Sequence, residues 1–329
     1  MLALYFFLVL NGFLVAVVFI NILRKFSLVH KFLITKGIPL IGGVGMALSF
    51  ILVSLLSFFL YKSLSREVIG IIASSAIMLI FGVIDDWREL SIWAKFLVQI
   101  IATSLLVFFG IRTQIIYIGN LANIIITFIW VLGITNAFNH LDVADGVASG
   151  AALVVSAAFF AISILNADIR TAFFSLILWG AVFSFFLYNF PPAKIYMGNS
   201  GSHFLGFILA SIALMISYAS LERKVALLTP LLILGLPIFD TTFLILIRLI
   251  NKSLPFKKTN DHLALRFLAK GFSKKKTLFA MLGLCLFFCL CGILISQVPN
   301  TPGICIVTLV ILVSLITSIK MGKVAVANG

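Results

Sequence analysis

Runs of 18 or more apolar residues recur along almost the whole chain, and they restrict it to one class of structure. A helix of about 20 apolar residues crosses the roughly 30 Å hydrocarbon core of a bilayer. Hydrophobic residues make up 62% of the sequence and charged residues 10%, which is typical of multi-pass membrane proteins. Long stretches of strict polar–apolar alternation do not occur, so the pattern favours helices over a β-barrel.

The apolar runs predict an all-α, polytopic integral membrane protein with a single membrane domain over residues 1–329. The first run lacks a basic leading segment and a small-residue cleavage site, so we expect a retained helix and not a signal peptide. About eleven transmembrane helices are predicted, at 2–23, 38–61, 68–86, 94–111, 119–136, 148–166, 171–190, 203–221, 226–250, 278–297 and 303–319.

Basic residues are divided unequally between alternate loops: 18 of the 24 Lys and Arg residues fall in one set and 6 in the other. The positive-inside rule places the richer set in the cytoplasm, with the N-terminus outside and the C-terminus cytoplasmic. Seven of the ten acids lie in that same set, which the rule does not require. We therefore expect the chemistry on the cytoplasmic face. The predicted cytoplasmic loops are about 24–37, 86–95, 137–150, 191–203 and 251–277.

The net charge of +14 has two interpretations. Membrane topology and anionic lipid headgroups alone attract Lys and Arg to the cytoplasmic face. The same loops also contain acids and amides, which favours anionic substrates. Nucleic acid is not an expected partner, because the sequence contains no soluble domain to hold it.

Asp85 and Asp86 stand side by side at the end of an apolar run, with Lys95 near the start of the next one. Ionisable groups at a membrane edge are costly and often functional. Because two adjacent carboxylates repel each other, a divalent cation would stabilise them. The alternative is a solvated helix end in which the carboxylates pair with Arg88.

Asn136, Asn139, Asp142 and Asp145 recur at intervals of three residues, just before Gly146. On a helix end this spacing puts the side chains near one face. Amides can hydrogen-bond a nucleobase, and carboxylates can bind ribose hydroxyls or a metal ion. The alternative is a plain polar loop, which would not need such regular spacing.

Three other segments have both a functional and a structural interpretation. The Gly-Ser segment 194–207 either binds an anion at a helix N-terminus or simply caps that helix. In segment 36–43, either Lys36 holds a phosphate, or the glycines allow close packing of helices. The basic loop 251–277, with His262 and Arg266, is either a binding element or a solvated face.

Taken in order, these motifs resemble those of the polyprenyl-phosphate N-acetylhexosamine-1-phosphate transferases, glycosyltransferase family 4. The resemblance covers residues 31–272. The family includes phospho-N-acetylmuramoyl-pentapeptide transferase and undecaprenyl-phosphate GlcNAc-1-phosphate transferases. The segment Pro-Ile-Phe-Asp-Thr-Thr-Phe at 237–243 is more similar to the GlcNAc branch. The motifs are Lys-x-x-Pro-x-x-Gly-Gly from Lys36, Asp85-Asp86, Asn-x-x-Asn-x-x-Asp-x-x-Asp-Gly from Asn136, Met-Gly-x-x-Gly-Ser from Met197, and the basic loop.

The resemblance implies transfer of a HexNAc-1-phosphate from a UDP-sugar to polyprenyl (undecaprenyl) phosphate, with release of UMP. It implies the first membrane step of a cell-envelope polysaccharide, carried out in the bacterial inner membrane with the active site facing the cytoplasm. The implied cofactor is Mg²⁺, with Mn²⁺ as the alternative ion. UDP-HexNAc and the polyprenyl phosphate lipid are the implied partners, and a homodimer is a further expectation.

The resemblance also assigns residues. The implied metal ligands are Asp85, Asp86 and Asn199. The implied catalytic residues are Asp85, Asp86, Asp142, Asp145 and His262. The implied substrate-binding residues are Lys36, Lys95, Asn136, Asn139, Tyr196, Gly198, Ser202 and Arg266, with Tyr196 expected to stack on uracil.

The sequence departs from the family pattern at three places. Asn199 stands where the family usually has a metal-binding Asp, the His-x-His-His-Arg run is reduced to His262 and Arg266, and Val143 replaces a glycine. Two alternatives to an active transferase follow. In the first, the chain is an impaired relative that binds lipid or nucleotide, or assists assembly, without turnover. In the second, it is a transporter, although its acids do not lie at mid-membrane as transporter sites do.

Overall fold

The computed structural model describes residues 2–216, 218, 223–250, 252, 261–324 and 326. These residues fold into a bundle of apolar helices, which confirms the predicted all-α, polytopic class. The helices are α1 Leu2–His30, α2 Gly42–Leu60, α3 Arg66–Trp87, α4 Ile92–Phe108, α5 Gly119–Leu141, α6 Val147–Leu165, α7 Ile169–Asn189, α8 Gly198–Met215, α9 Thr229–Ile233, α10 Gly235–Ile250, α11 Leu263–Ala269, α12 Lys274–Gln297 and α13 Asn300–Gly322.

Within the described part of the chain, eight helices are long and apolar enough to cross a membrane, or up to nine if a bent pair counts as one span. Helices α4 and α8 are not among those eight, although each occupies a predicted span. The count of eleven spans and the orientation of the termini therefore stay predictions.

The span predicted at 226–250 is not a single continuous helix. A 3₁₀ turn, Lys224–Leu228, leads into α9, and a bend of 76° separates α9 from α10. Pro237 lacks the N–H that a continuous helix would bond to the carbonyl of Ile233. Gly235 lies against the ring of Phe288, where an added Cβ would be 2.8 Å from a ring carbon. Backbone chemistry and packing thus explain a break that hydropathy does not reveal.

Helix α8 lies in the centre of the bundle and packs against α2, α3 and α5. Two glycines permit this close approach: a Cβ on Gly43 would overlap the backbone of Gly201, and one on Gly82 would overlap the backbone of Ser200. The packing interpretation of the glycines in 36–43 is therefore supported by Gly43. The N-terminus of α8 is brought directly beside the end of α3.

A short hairpin connects α1 and α2, where the sequence predicted a loop followed by helix from residue 38. Strand β1, Ile34–Thr35, pairs antiparallel with β2, Ile38–Pro39. The backbone N–H of Tyr196 donates to the carbonyl of Pro39 (2.8 Å), and that of Gly42 donates to the carbonyl of Tyr196 (3.1 Å). These bonds fix the hairpin to the segment before α8.

Candidate active site

A cavity of about 400 Å³ lies where the ends of α3, α5 and α7 meet the N-terminus of α8. Most of its lining side chains are acids, amides and hydroxyls, so it suits a polar ligand. It brings together residues from five separate segments of the sequence. The lining residues are Leu40, Asp86, Asn139, Asp142, Val143, Ala144, Asp145, Asn189, Tyr196, Gly198, Asn199 and Ser202.

Asp86 joins α3 to the N-terminus of α8. Its Oδ1 accepts a hydrogen bond from the backbone N–H of Asn199 (2.6 Å), and its Oδ2 accepts one from that of Ser200 (3.0 Å). A helix N-terminus carries partial positive charge, so it stabilises this carboxylate. Gly198 has φ +74°, and a Cβ there would be 2.6 Å from the Asp86 Oδ2. Only glycine fits this position without displacing the carboxylate.

Asp85 points elsewhere, although it is adjacent to Asp86. Its Oδ2 forms an ion pair with the Lys95 ammonium (2.6 Å), and its Oδ1 accepts from the Leu90 N–H (2.8 Å). Asp85 is only 2% exposed and is not among the described residues that line the cavity. Successive helical residues are rotated by about 100°, which explains why the two neighbours separate. Asp85 and Lys95 therefore neutralise each other beside the cavity.

The three-residue series divides in the same way. Asn139 lines the cavity and donates from Nδ2 to the Asn199 Oδ1 (3.1 Å) and the Ser202 Oγ (2.9 Å). Asn136 instead exchanges hydrogen bonds of 2.9 and 3.3 Å with the Gln99 amide on α4. A step of three residues leaves an offset of about 60° on a helix, so Asn136 faces a different neighbour. The structure thus places Asn136 outside the cavity.

Asp142 and Asp145 follow the end of α5 and both line the cavity. Burial, and to a smaller extent the negative charges of Asp86 and Asp145, raises the pKa of the Asp142 carboxyl to about 7. Asp145 accepts hydrogen bonds from the Ala193 N–H (3.3 Å) and the Lys274 ammonium (3.1 Å). Three carboxylates therefore interact electrostatically in one cavity, and Asp142 has the greatest need for a positive charge.

Asn189, at the end of α7, is a lining residue that the sequence reasoning missed. Its Oδ1 accepts from the Gly146 N–H (3.0 Å) and the Ser149 hydroxyl (2.9 Å), and its Nδ2 donates to the Ile195 carbonyl (3.1 Å). It is 2% exposed, so all of its polar atoms depend on these partners. An amide ending an apolar run was the available signal. Asn189 joins the Asp142–Asp145 turn to the Tyr196 segment.

Three more predicted residues lie outside the lining of the cavity, besides Asp85, Lys95 and Asn136. Lys36 is exposed at the turn of the hairpin. His262 is buried, with Nδ1 3.0 Å from the Asp240 Oδ2. Arg266 donates to the Asp261 carboxylate (2.9 Å) and to carbonyls at the end of α13, including that of Val324 (2.6 Å). Arg266 is thus a structural residue here. Residues 251 and 253–260 of the predicted basic loop lie outside the described residues.

The donor set bears on the implied metal ion. Among the described residues, no three His, Cys, Asp or Glu side chains are close enough together to hold one. Mg²⁺ does not require such a group, because it commonly uses one or two carboxylates together with substrate phosphates and water. Asp86, Asp142 and the amide of Asn199 line one cavity, and a cation there would stabilise the ionised form of Asp142, which burial and the neighbouring carboxylates disfavour. These side-chain oxygens suit the chemistry of Mg²⁺, and Asp85 is not among the described lining residues.

Residues 68–217 match the family described as "Glycosyl transferase family 4". This region contains all of the lining residues except Leu40. The site described above is therefore built almost entirely from the part of the chain that is similar to the family.

Individual relatives show the same similarity. A "Probable undecaprenyl-phosphate N-acetylglucosaminyl 1-phosphate transferase" from Bacillus subtilis (strain 168) is 29% identical over 73% of this chain and 68% of its own length. A "Decaprenyl-phosphate N-acetylglucosaminephosphotransferase" from Mycolicibacterium smegmatis is 30% identical over 63% and 58%. A "Phospho-N-acetylmuramoyl-pentapeptide-transferase" from Streptococcus thermophilus (strain CNRZ 1066) is 30% identical over 59% and 64%. Residues 68–217 are thus similar to glycosyl transferase family 4, and the named relatives extend the similarity to as much as 73% of the chain.

Proposed function

We propose that the chain transfers a HexNAc-1-phosphate from a UDP-sugar to a polyprenyl phosphate and releases UMP. The observation that carries this proposal is the cavity at the ends of α3 and α5, where Asp86 and Asp142 lie beside the N-terminus of α8. Two of the relatives carry undecaprenyl phosphate and decaprenyl phosphate in their names, which supports the lipid substrate. A cavity of about 400 Å³ is large enough for part of a nucleotide sugar.

The proposed transfer does not require ATP. A phosphate oxygen of the lipid attacks the β-phosphorus of the UDP-sugar while the bond from that phosphorus to UMP breaks. UMP leaves with the electron pair, so one phosphoanhydride replaces another. Such reactions depend mainly on alignment and on neutralisation of phosphate charge.

The lining residues divide this work. Asp86, Asp142 and Asn199 would hold Mg²⁺, which when bound supplies charge neutralisation for the phosphates. The Asn139 amide fixes Asn199 and Ser202 relative to α5. Tyr196 offers an aromatic ring to the base. Asp85 and Lys95 act as a buried pair that supports the end of α3.

The same proposal includes a place in the cell. The site lies at the membrane edge that carries the predicted cytoplasmic loops, which suits soluble UDP-sugars. We infer a bacterial inner-membrane location with the cavity facing the cytoplasm, and a role in the first membrane step of a cell-envelope polysaccharide.

The test is formation of a lipid product by purified protein with undecaprenyl phosphate, Mg²⁺ and radiolabelled UDP-HexNAc. We expect lipid-bound label and an equal amount of UMP, both lost in Asp86→Asn. Asp168→Asn is the matched control, because Asp168 caps α7 through the N–H groups of Arg170 and Thr171 at the other membrane edge. Absence of product from every common UDP-HexNAc, or equal loss in both variants, would contradict the proposal.

A second candidate is a family member that binds lipid or nucleotide, or assists assembly, without turnover. Asn199 favours it, because this amide brings no charge and already accepts a hydrogen bond from Asn139. Asn199→Asp separates the two candidates in the same assay. Activity that appears only in this variant supports the second candidate, and activity in the parent chain rejects it.

A further inference from the structure

A second cavity, of about 370 Å³, lies in the connection between the end of α4 and the start of α5. Helix α5 has 23 residues, so its two ends are separated by about 33 Å. The candidate active site is at the far end of that helix. The second cavity therefore lies at the opposite membrane edge, at the depth of the lipid headgroups.

The wall of this cavity is held in one shape by buried side chains of α5. The Asn123 amide accepts from the Ile115 N–H (2.8 Å) and donates to the carbonyls of Ile115 (3.0 Å) and Gly119 (2.8 Å). The Thr127 hydroxyl accepts from the Thr113 N–H (2.9 Å). The connection is thus preorganised, which lowers the entropic cost of binding a ligand.

Three long polar side chains that line the cavity have no side-chain partner among the residues that the structure describes. Arg112, Gln114 and Asn120 form no side-chain hydrogen bond or ion pair within the described part of the chain. Two arginines of the same edge are engaged differently: Arg66 donates to a backbone carbonyl, and Arg170 pairs with Glu67. A guanidinium beside two amides, with no carboxylate among the described lining residues, suits a phosphate.

Exposed apolar side chains adjoin these polar groups. Ile116 is 75% exposed and Leu121 is 73% exposed. Tyr117 lies between them in sequence, and the Lys224 ammonium is 5.4 Å from its ring centroid, which adds a second positive charge. At a membrane edge, these apolar residues are positioned to contact acyl chains while the cavity holds a headgroup. A free anion would leave that apolar surface unused.

We propose that this cavity binds the headgroup of an anionic phospholipid, with Arg112 on the phosphate and Ile116 and Leu121 against the acyl chains. The proposal concerns the edge opposite the transfer chemistry and does not depend on the proposed function. Because the connection joins α4 to α5, a bound lipid would also stabilise the helix that carries Asn139.

The test is a titration of the purified, delipidated full chain in a neutral detergent, with thermal stability as the readout. Phosphatidylglycerol is compared with phosphatidylcholine of the same acyl chains, and with glycerol phosphate. We expect phosphatidylglycerol alone to raise the melting temperature at low concentration. Arg112→Gln should weaken its apparent affinity at least about tenfold, since a hydrogen bond to a charged group is lost, and Arg112→Lys should weaken it less.

The matched control is Lys62→Gln, which removes an exposed cation from the same edge but outside the cavity. Its affinity for phosphatidylglycerol should change by no more than about twofold. An equal effect of phosphatidylcholine, or unchanged affinity in Arg112→Gln, would overturn the proposal. If glycerol phosphate binds as tightly as phosphatidylglycerol, the site takes a free phosphate and the lipid assignment is wrong. If Arg112→Gln lowers the melting temperature before any lipid is added, the affinity of Arg112→Lys for phosphatidylglycerol is used in its place, and an affinity equal to that of the parent chain would overturn the proposal.

Discussion

Asn189→Ala tests whether one buried amide positions the carboxylates of the active site. The change removes the hydrogen bonds to Gly146, Ser149 and Ile195. At about 1 kcal/mol for each hydrogen bond, the free energy of unfolding should fall by roughly 3 kcal/mol. The turn that holds Asp142 and Asp145 would no longer be joined to the Tyr196 segment. A displacement of about 1 Å in such a site can reduce turnover about 100-fold.

Asn123→Ala is the matched control for this prediction. Asn123 is also buried and also forms three hydrogen bonds, but it lies at the other end of α5. Both variants should therefore lose similar thermal stability. We expect a loss of lipid product on the order of 100-fold only for Asn189→Ala.

The assay measures initial rates at saturating UDP-sugar and lipid, well below the melting temperature of each variant. If both variants lose activity equally, general destabilisation explains the effect. If Asn189→Ala keeps parental activity while its stability falls, the amide does not position the carboxylates. Either result would refute the reasoning from the three hydrogen bonds.

Three other predictions follow from the site. In EDTA, thermal stability should fall as pH rises from about 4 to 7, because folded Asp142 keeps its proton up to about 7 whereas the unfolded chain loses it from about 3.8; Asp142→Asn should reduce this slope. Asn199→Asp should lower the Mg²⁺ concentration for half-maximal activity, since it adds a charged ligand. Gly198→Ala should lower activity strongly, because its Cβ would be 2.6 Å from the Asp86 Oδ2.

Each of these predictions has its own check. Melting curves of the parent and Asp142→Asn that keep the same pH slope would contradict the raised pKa. An Mg²⁺ dependence unchanged by Asn199→Asp would remove Asn199 from the metal site. Gly37→Ala is the control for Gly198→Ala, because Gly37 also has a positive φ (+78°) but has open space around it. Equal losses in the two variants would show that backbone strain alone acts.

Hydropathy predicted most of the helices well. The predicted spans at 68–86, 119–136 and 171–190 correspond to α3, α5 and α7, with differences at their ends. Burial of apolar side chains in lipid depends on composition over about 20 residues, which a linear sequence contains. Hydropathy does not predict the bend between α9 and α10, because both sides of it are apolar and hydropathy does not register the missing N–H of Pro237.

The site was predicted in outline but not in detail. Asp86, Asn139, Asp142, Asp145, Tyr196, Gly198, Asn199 and Ser202 all line the cavity. Asp85 and Asn136 were predicted with them, yet they pair with Lys95 and Gln99. Asp85 and Asn136 lie on a different side of their helices from Asp86 and Asn139. Which side faces the cavity depends on the neighbouring helices.

The sequence alone therefore determined the class of protein, the approximate helices and most of the residues that line the candidate site, because these depend on local composition and motif order. Tertiary structure decided which carboxylate faces the cavity, and it brought Asn189 to the turn that holds Asp142. It also assigned Arg266 to the end of α13, and left Arg112 at the other membrane edge without a side-chain partner among the described residues. These outcomes depend on contacts between segments far apart in the chain, which no local pattern specifies.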